Sequence, residues 1–244
     1  MSKSSPMPTT YIRTLGALTD DLALVPERYH PAKEQKLKIS NSVLLGELVT
    51  DVRETVSTTT KSFPRETSFI IYETSDADKG FLQSKTELRN IAEIGSTKKI
   101  FRPGDVLISR LRPYLRQVAF VPTNLLLNRP NVILACSTEF YVLRSRGPER
   151  SVAFLIPYLL SSDVQEVLSL SQEGGHHPRF STDTLMKLPV PESVVKQRSW
   201  LSYKVEKLSS QYRLTVETLS ILAQNCCDGV PIAKQNRKKK LGSR

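Results

Sequence analysis

The chain has 244 residues, 39% of them apolar, enough to bury the core of one large domain. No apolar run approaches the roughly 20 residues of a membrane-spanning helix, and Met1 to Thr10, rich in Ser and Pro, lacks the apolar stretch of a secretory signal; a globular, cytoplasmic protein is expected. The formal charge of +11 is unevenly placed, at +1 over residues 1–100, +5 over 101–150, −1 over 151–233 and +6 over 234–244, so the middle and the tail carry it.

The flexible start is followed by Pro26-Glu27-Arg28-Tyr29-His30-Pro31, whose prolines exclude a continuous helix. Leu44, Leu45, Leu48, Val49 and Val52 lie on one helical face, which predicts a short helix weakened by Gly46. Thr67 to Thr74 reads as a strand, with turn chemistry in Asp76 to Gly80. From Lys98 to Pro122 the pattern is a basic approach, a turn at Pro103-Gly104-Asp105, a strand from Val106 to Leu111, a basic loop, and a strand from Gln117 to Val121. Val132 to Ala135 and Phe140 to Leu143 add two short strands. Helical spacing then takes over at Val152, Leu155, Ile156, Leu159 and Leu160, with Pro157 starting or kinking that helix, and Asp163 is the expected cap of a second helix. Gly174 to Phe180 is a loop.

Val195 to Asn225 contains neither Gly nor Pro, and Leu201, Val205, Leu208, Tyr212, Thr215, Leu219 and Leu222 recur at alternating steps of four and three. A period of 3.5 is the coiled-coil signature, interrupted only by Thr215. Two readings remain open: an amphipathic helix packed on its own domain, and a seam for another helix. The tail from Lys234 to Arg244, without an acidic residue, is expected to be disordered; it solubilises the chain or contacts phosphate.

Motifs of catalysis are missing. There is no GxxxxGK[ST], no GxGxxG after a strand and no HExxH, and Asn128-Arg129-Pro130-Asn131 is not the tetrapeptide with which an adenine methyltransferase grips a flipped base. Cys136, Cys226 and Cys227, an odd number with an adjacent pair, do not suggest a disulfide framework. No Cys or His spacing suits a zinc site, and neither cofactor nor metal is expected. His176 and His177, with Arg179, sit in the glycine-rich loop, where they serve as hydrogen-bond donors to nucleic acid or have no role.

The strongest local signal is the basic run Lys98, Lys99, Arg102, Arg110, Arg112 and Arg116, with Tyr114 among the arginines and Arg129 beyond. The planar guanidinium fork matches guanine O6/N7 as well as phosphate, so arginines about a strand-loop-strand unit suit the reading of double-stranded DNA. The alternative is a set of solvated charges opposite a core face.

Pro103-Gly104-Asp105-Val106-Leu107-Ile108-Ser109-Arg110 resembles the GD-[IV]-L-[IL]-S-[RK] stretch of type I restriction-modification specificity subunits. The resemblance continues in order through Gln117 to Val121, Cys136 to Arg144, Phe154 to Leu160 with Ser162-Asp163, Gly174 to Phe180, Leu188-Pro189-Val190-Pro191 and Gln197, and Arg28 to Pro31 is similar to the family's entry motif. It covers roughly residues 20 to 222. It implies an α/β (α+β) target-recognition domain over 11–194, a spacer helix with coiled-coil character over 195–225, and flexible ends at 1–10 and 226–244. It also implies a subunit without chemistry of its own, which selects DNA for adenine-N6 methyltransferase subunits and, in full systems, for a translocating restriction subunit. Complete family members carry two recognition domains and two spacer helices; this chain shows one of each, a half subunit that would pair with a second copy. Two rival readings are a scaffold or anti-restriction decoy that occupies a methyltransferase without reading DNA, and an enzyme with an unrecognised site.

Overall fold

Central strands with apolar residues on both faces have to be covered from both sides, and the arrangement here does so with two sheets and a helical layer. The computed structural model describes residues 39–227, apart from Lys61, Arg65, Asn128 and 173–177, together with Ile12 and Thr14. The elements begin with β1 (Ser42–Leu44), α1 (Leu45–Leu48), β2 (Val49–Asp51), β3 (Thr55–Val56), β4 (Ser68–Tyr72), β5 (Ala77–Asp78) and β6 (Phe81–Leu82). They continue with β7 (Lys98–Phe101), β8 (Val106–Ser109), a 3-10 turn at Pro113–Leu115, β9 (Val118–Phe120), β10 (Val132–Ser137) and β11 (Phe140–Ser145). Then come α2 (Leu155–Leu159), α3 (Ser162–Leu170), α4 (Thr182–Met186), β12 (Pro189–Pro191), α5 (Glu192–Lys196) and the long α6 (Arg198–Cys227).

One four-stranded sheet has the order β3-β7-β10-β4, with β4 and β10 parallel, and a second has the order β2-β11-β8-β9, antiparallel throughout. Side-chain alternation assigns each residue to a layer. Leu107 of β8 and Phe140 and Val142 of β11 face the first sheet, meeting Ile70, Tyr72, Phe101 and Leu134. Val106, Ile108, Tyr141 and Leu143 point the other way, onto Leu155, Leu159, Val167 and Leu168 of the helices. Two pairs, β1 with β12 and β5 with β6, flank these sheets.

Several local expectations change. The helix predicted around Leu44 to Val52 is the single turn α1 between two strands, because Leu45 and Val49 enter the core from opposite ends of it and Gly46 abuts Met186 of α4. The cap of α3 is Ser161, whose Oγ accepts from the Val164 amide, and Asp163 lies in the first turn. The basic approach at Lys98 is itself a strand, β7, inside a sheet. Among the described residues no helix is long and apolar enough to cross a membrane.

Candidate nucleic-acid interface

Strands β8 and β11 lie side by side, Val106 opposite Leu143 and Ser109 opposite Phe140, and ionic contacts fasten them at both ends. At one end buried Asp105 accepts from Arg144 Nε at 2.9 Å and Nη2 at 2.7 Å, and from the Arg102 amide at 2.7 Å. This bidentate bond holds the Arg144 guanidinium protonated to higher pH than usual. The preceding Gly104 has φ +95°, and a Cβ there would lie 2.0 Å from the Arg150 carbonyl oxygen, so the close approach requires glycine.

At the other end one carboxylate serves two arginines. Glu139 accepts from Arg110 Nε at 2.8 Å and from Arg179 Nε at 3.0 Å and Nη2 at 2.8 Å. Hydrogen bonds from Arg179, then from Arg110, bring its carboxyl from 4.5 down to about 2, against the opposing effect of burial. The clamp ties the segment after the glycine-rich loop to the end of β8, assisted by a bridge between Leu111 and Arg179 and by the Phe180 amide donating to the Arg110 carbonyl at 3.3 Å. Tyr141 Oη also donates to the Phe180 carbonyl, at 2.8 Å.

The predicted cluster divides accordingly. The ammonium groups of Lys98 and Lys99, expected on phosphate, both have partners inside the fold. Lys98 Nζ is 2.7 Å from Glu73 with its side chain 10% exposed, and Lys99 Nζ donates to the Phe140 carbonyl at 2.8 Å and sits 3.4 Å from Asp51. Arg102 and Arg129 are exposed, Arg102 lying 3.5 Å from Glu54. Strand register places both at the far end of the sheets from Glu139, because β7 leaves its sheet at Phe101 opposite Leu134 while Lys98 pairs with Ser137. The run therefore does not form one patch.

Arg112, Tyr114 and Arg116 do come together, on the turn between β8 and β9. Arg112 and Arg116 take left-handed backbone conformations, φ +45° and +52°, at the two ends of the 3-10 turn. Buried Pro113 anchors it against α3, and it is closed by the Leu115 amide donating to the Arg112 carbonyl at 2.9 Å and the Arg116 amide to the Pro113 carbonyl at 2.8 Å. Tyr114 is 62% exposed and Leu115 42%. Among the described residues neither Arg112 nor Arg116 has an acidic partner. The Lys79 amide donates to the Arg116 carbonyl at 3.2 Å, which brings a further exposed cation to this tip. No local pattern pointed to Lys79 or to Glu139, since both arrive through pairings distant in sequence. His176 and His177 lie outside the described residues, as does 228–244 of the basic tail.

The expected helical seam is also divided. Leu201 is half-buried, Val205 is buried, and Tyr212 stacks on Phe81 with ring centroids 4.5 Å apart, so this face packs on the chain's own domain together with buried Ser209. Arg213 Nη1 donates to Asn124 Oδ1 at 3.1 Å. Leu208 and Leu219 are exposed and Leu222 is half-buried. Trp200, Tyr203, Leu214 and Ile221, each more than half exposed, fall at 3.6 residues per turn on the side opposite the packed face.

Burial pushes the Cys136 thiol far up, which makes it an inert core residue. Among the described residues no three His, Cys, Asp or Glu side chains are placed to hold a metal ion. A groove of about 400 Å³ between α3, β12 and the start of α6 is lined largely by apolar groups such as Tyr158, Val164, Pro189 and Leu201.

The class defined by these features is a mixed α/β domain whose two sheets carry an exposed arginine-bearing turn, with a long helix following. Over 78% of this chain and 48% of the other, it matches, at TM-score 0.53 and 26% identity, a solved chain from work on the complex assembly and conformational transition of the type I R-M system. The HsdS subunit from Thermoanaerobacter tengcongensis matches over 72% of this chain and 44% of that one, at TM-score 0.46 and 24% identity. No family model and no curated protein matches the sequence. The chain shares its fold with the matched chain from the type I R-M system, and it spans about half the length of the solved chains it matches.

Proposed function

We propose that this chain is a non-catalytic, cytoplasmic specificity module that reads double-stranded DNA through the Arg112–Arg116 turn and delivers it to adenine-N6 methyltransferase subunits, and in a full complex to a restriction translocase. The observation that carries the reading is the pair of exposed arginines, without acidic partners among the described residues, held on a closed turn of a fold shared with a chain of the type I R-M system. Arg112 and Arg116, with Lys79, touch phosphate or base edges, while Arg110 and Arg179 are positioned by Glu139 at the margin of the same surface. Selection from a random-site duplex pool with the purified chain and its methyltransferase tests this. Arg112→Ala is expected to relax or abolish site choice, at about 1–3 kcal/mol, and Lys239→Ala in the basic tail to weaken binding evenly. Methylome sequencing that finds Arg112→Ala unchanged in site and extent overturns the assignment.

The exposed apolar side of α6 favours a protein partner. Pairing of two copies through the open side that carries Trp200, Tyr203, Leu214 and Ile221 would set two recognition domains about a two-fold axis and give a palindromic bipartite site. A strict monomer in light scattering, both alone and with methyltransferase, rules that out. The same helix face also suits a scaffold or decoy that never reads DNA, and a pool selection that enriches no sequence would favour it.

A further inference from the structure

We infer that the turn bearing Arg112 to Arg116 is an apolar wedge, with Tyr114 and Leu115 entering between base pairs of the bound duplex while Arg112 and Arg116 flank them on phosphate or base edges. This rests on the DNA-reading function proposed above and adds a deformation of the DNA to it. Two side chains with large apolar surface on the connection between β8 and β9, Tyr114 and Leu115, are 62% and 42% exposed and leave much of that surface open. A connection with no further role would leave such side chains mobile or replace them by polar ones. Here the backbone is fixed instead: arginines occupy left-handed conformations at both ends, φ +45° and +52°, where glycine would be unstrained. Strain retained in this way marks a segment whose shape is used.

The chemistry of the tip selects its partner. Flat or branched apolar groups with an unpaired cation on each side complement a polymer that alternates anionic phosphate with stacked apolar faces. Duplex DNA offers both within one base step, and inserted Leu and aromatic groups unstack such steps and bend the helix. Lys79 beside Arg116 extends the cationic side along the backbone. Because easily unstacked pyrimidine–purine steps cost least to open, the wedge contributes to site choice at a step where no base-edge hydrogen bond is needed.

The test uses the full chain and the duplex enriched from the random pool, with 2-aminopurine placed in turn at each position. Wild-type protein is expected to brighten the probe at one step, Tyr114→Phe to keep that signal, and Tyr114→Ala with Leu115→Ala to lose it while binding about tenfold more weakly, the scale of one lost base stack. End-labelled duplexes should show the corresponding bend by energy transfer for the wild type and not for the double variant. A duplex that is bound selectively but gives no brightening at any position overturns the wedge and leaves DNA reading standing. That scan needs only the wild-type chain, so it decides even where a variant folds poorly. A double variant that brightens the probe like the wild type also overturns it, and a pool that yields no enriched site overturns the wedge and the reading together.

Discussion

Asp105 and Glu139 each commit a carboxylate to arginines brought from elsewhere in the chain. Asp105 is nearly inaccessible and accepts from Nε and Nη2 of Arg144, so Asp105→Asn leaves a guanidinium facing a group that cannot neutralise it. A loss of about 3 kcal/mol in urea unfolding is expected, and Gly104→Ala should be at least as damaging because its methyl would collide with the Arg150 carbonyl. Glu139 gives a pH signature. Its carboxyl sits at about 2 in the folded chain against 4.5 ordinarily, so on acidification the unfolded chain takes up this proton first. The stabilisation is whole above the ordinary value and is lost as pH falls from there to about 2. Unfolding free energies of wild type and Glu139→Gln should differ most near neutrality and converge toward that acidic limit; a constant difference would show that the clamp contributes nothing electrostatic.

Among the elements, β7 and α6 show how context reassigns side chains. In β7 the consecutive lysines point to opposite faces of a sheet, and each finds an acceptor there: Lys98 reaches Glu73, and Lys99 reaches the Phe140 carbonyl and Asp51. In α6 one face is cemented to the domain by Val205 and the Tyr212–Phe81 stack, while Leu214 is open on the other. Tyr212→Ala should therefore cost the domain about 2 kcal/mol in thermal or urea unfolding. Leu214→Asp should leave unfolding within about 0.5 kcal/mol and reduce association measured by light scattering. The opposite pattern would mean that the helix leaves its own domain to pair.

At the scale of the whole molecule, strand register separates the exposed arginines into two ends, Arg112 and Arg116 beside the Glu139 clamp and Arg102 and Arg129 beyond the far edge. If only the first end meets DNA, the salt dependence of binding should report it. Arg116→Ala is expected to reduce the slope of log K against log salt by about 0.9, one phosphate's worth, and Arg129→Ala to leave it unchanged. Mobility shifts over a range of salt concentrations distinguish the two; equal effects would place the duplex across both ends.

Much of this was legible in the linear sequence, namely the strands at 68–72, 106–109 and 132–145, the turn at Gly104, the helices after 152 and the long final helix, because period and turn chemistry are local properties. Even the order of motifs shared with specificity subunits could be followed along the chain. What sequence could not decide was which charges remain free. Arg110, Arg112 and Arg116 are alike as residues, yet Arg110 meets a carboxylate 29 positions away that also holds Arg179 from 40 positions beyond it, while the other two meet none among the described residues. The apolar seam was likewise visible, but that it packs on the chain's own domain and leaves the opposite side of α6 open depends on partners such as Phe81, which reaches α6 only through the tertiary fold. Local patterns set the elements; long-range pairing determines which of their side chains are left to bind something else.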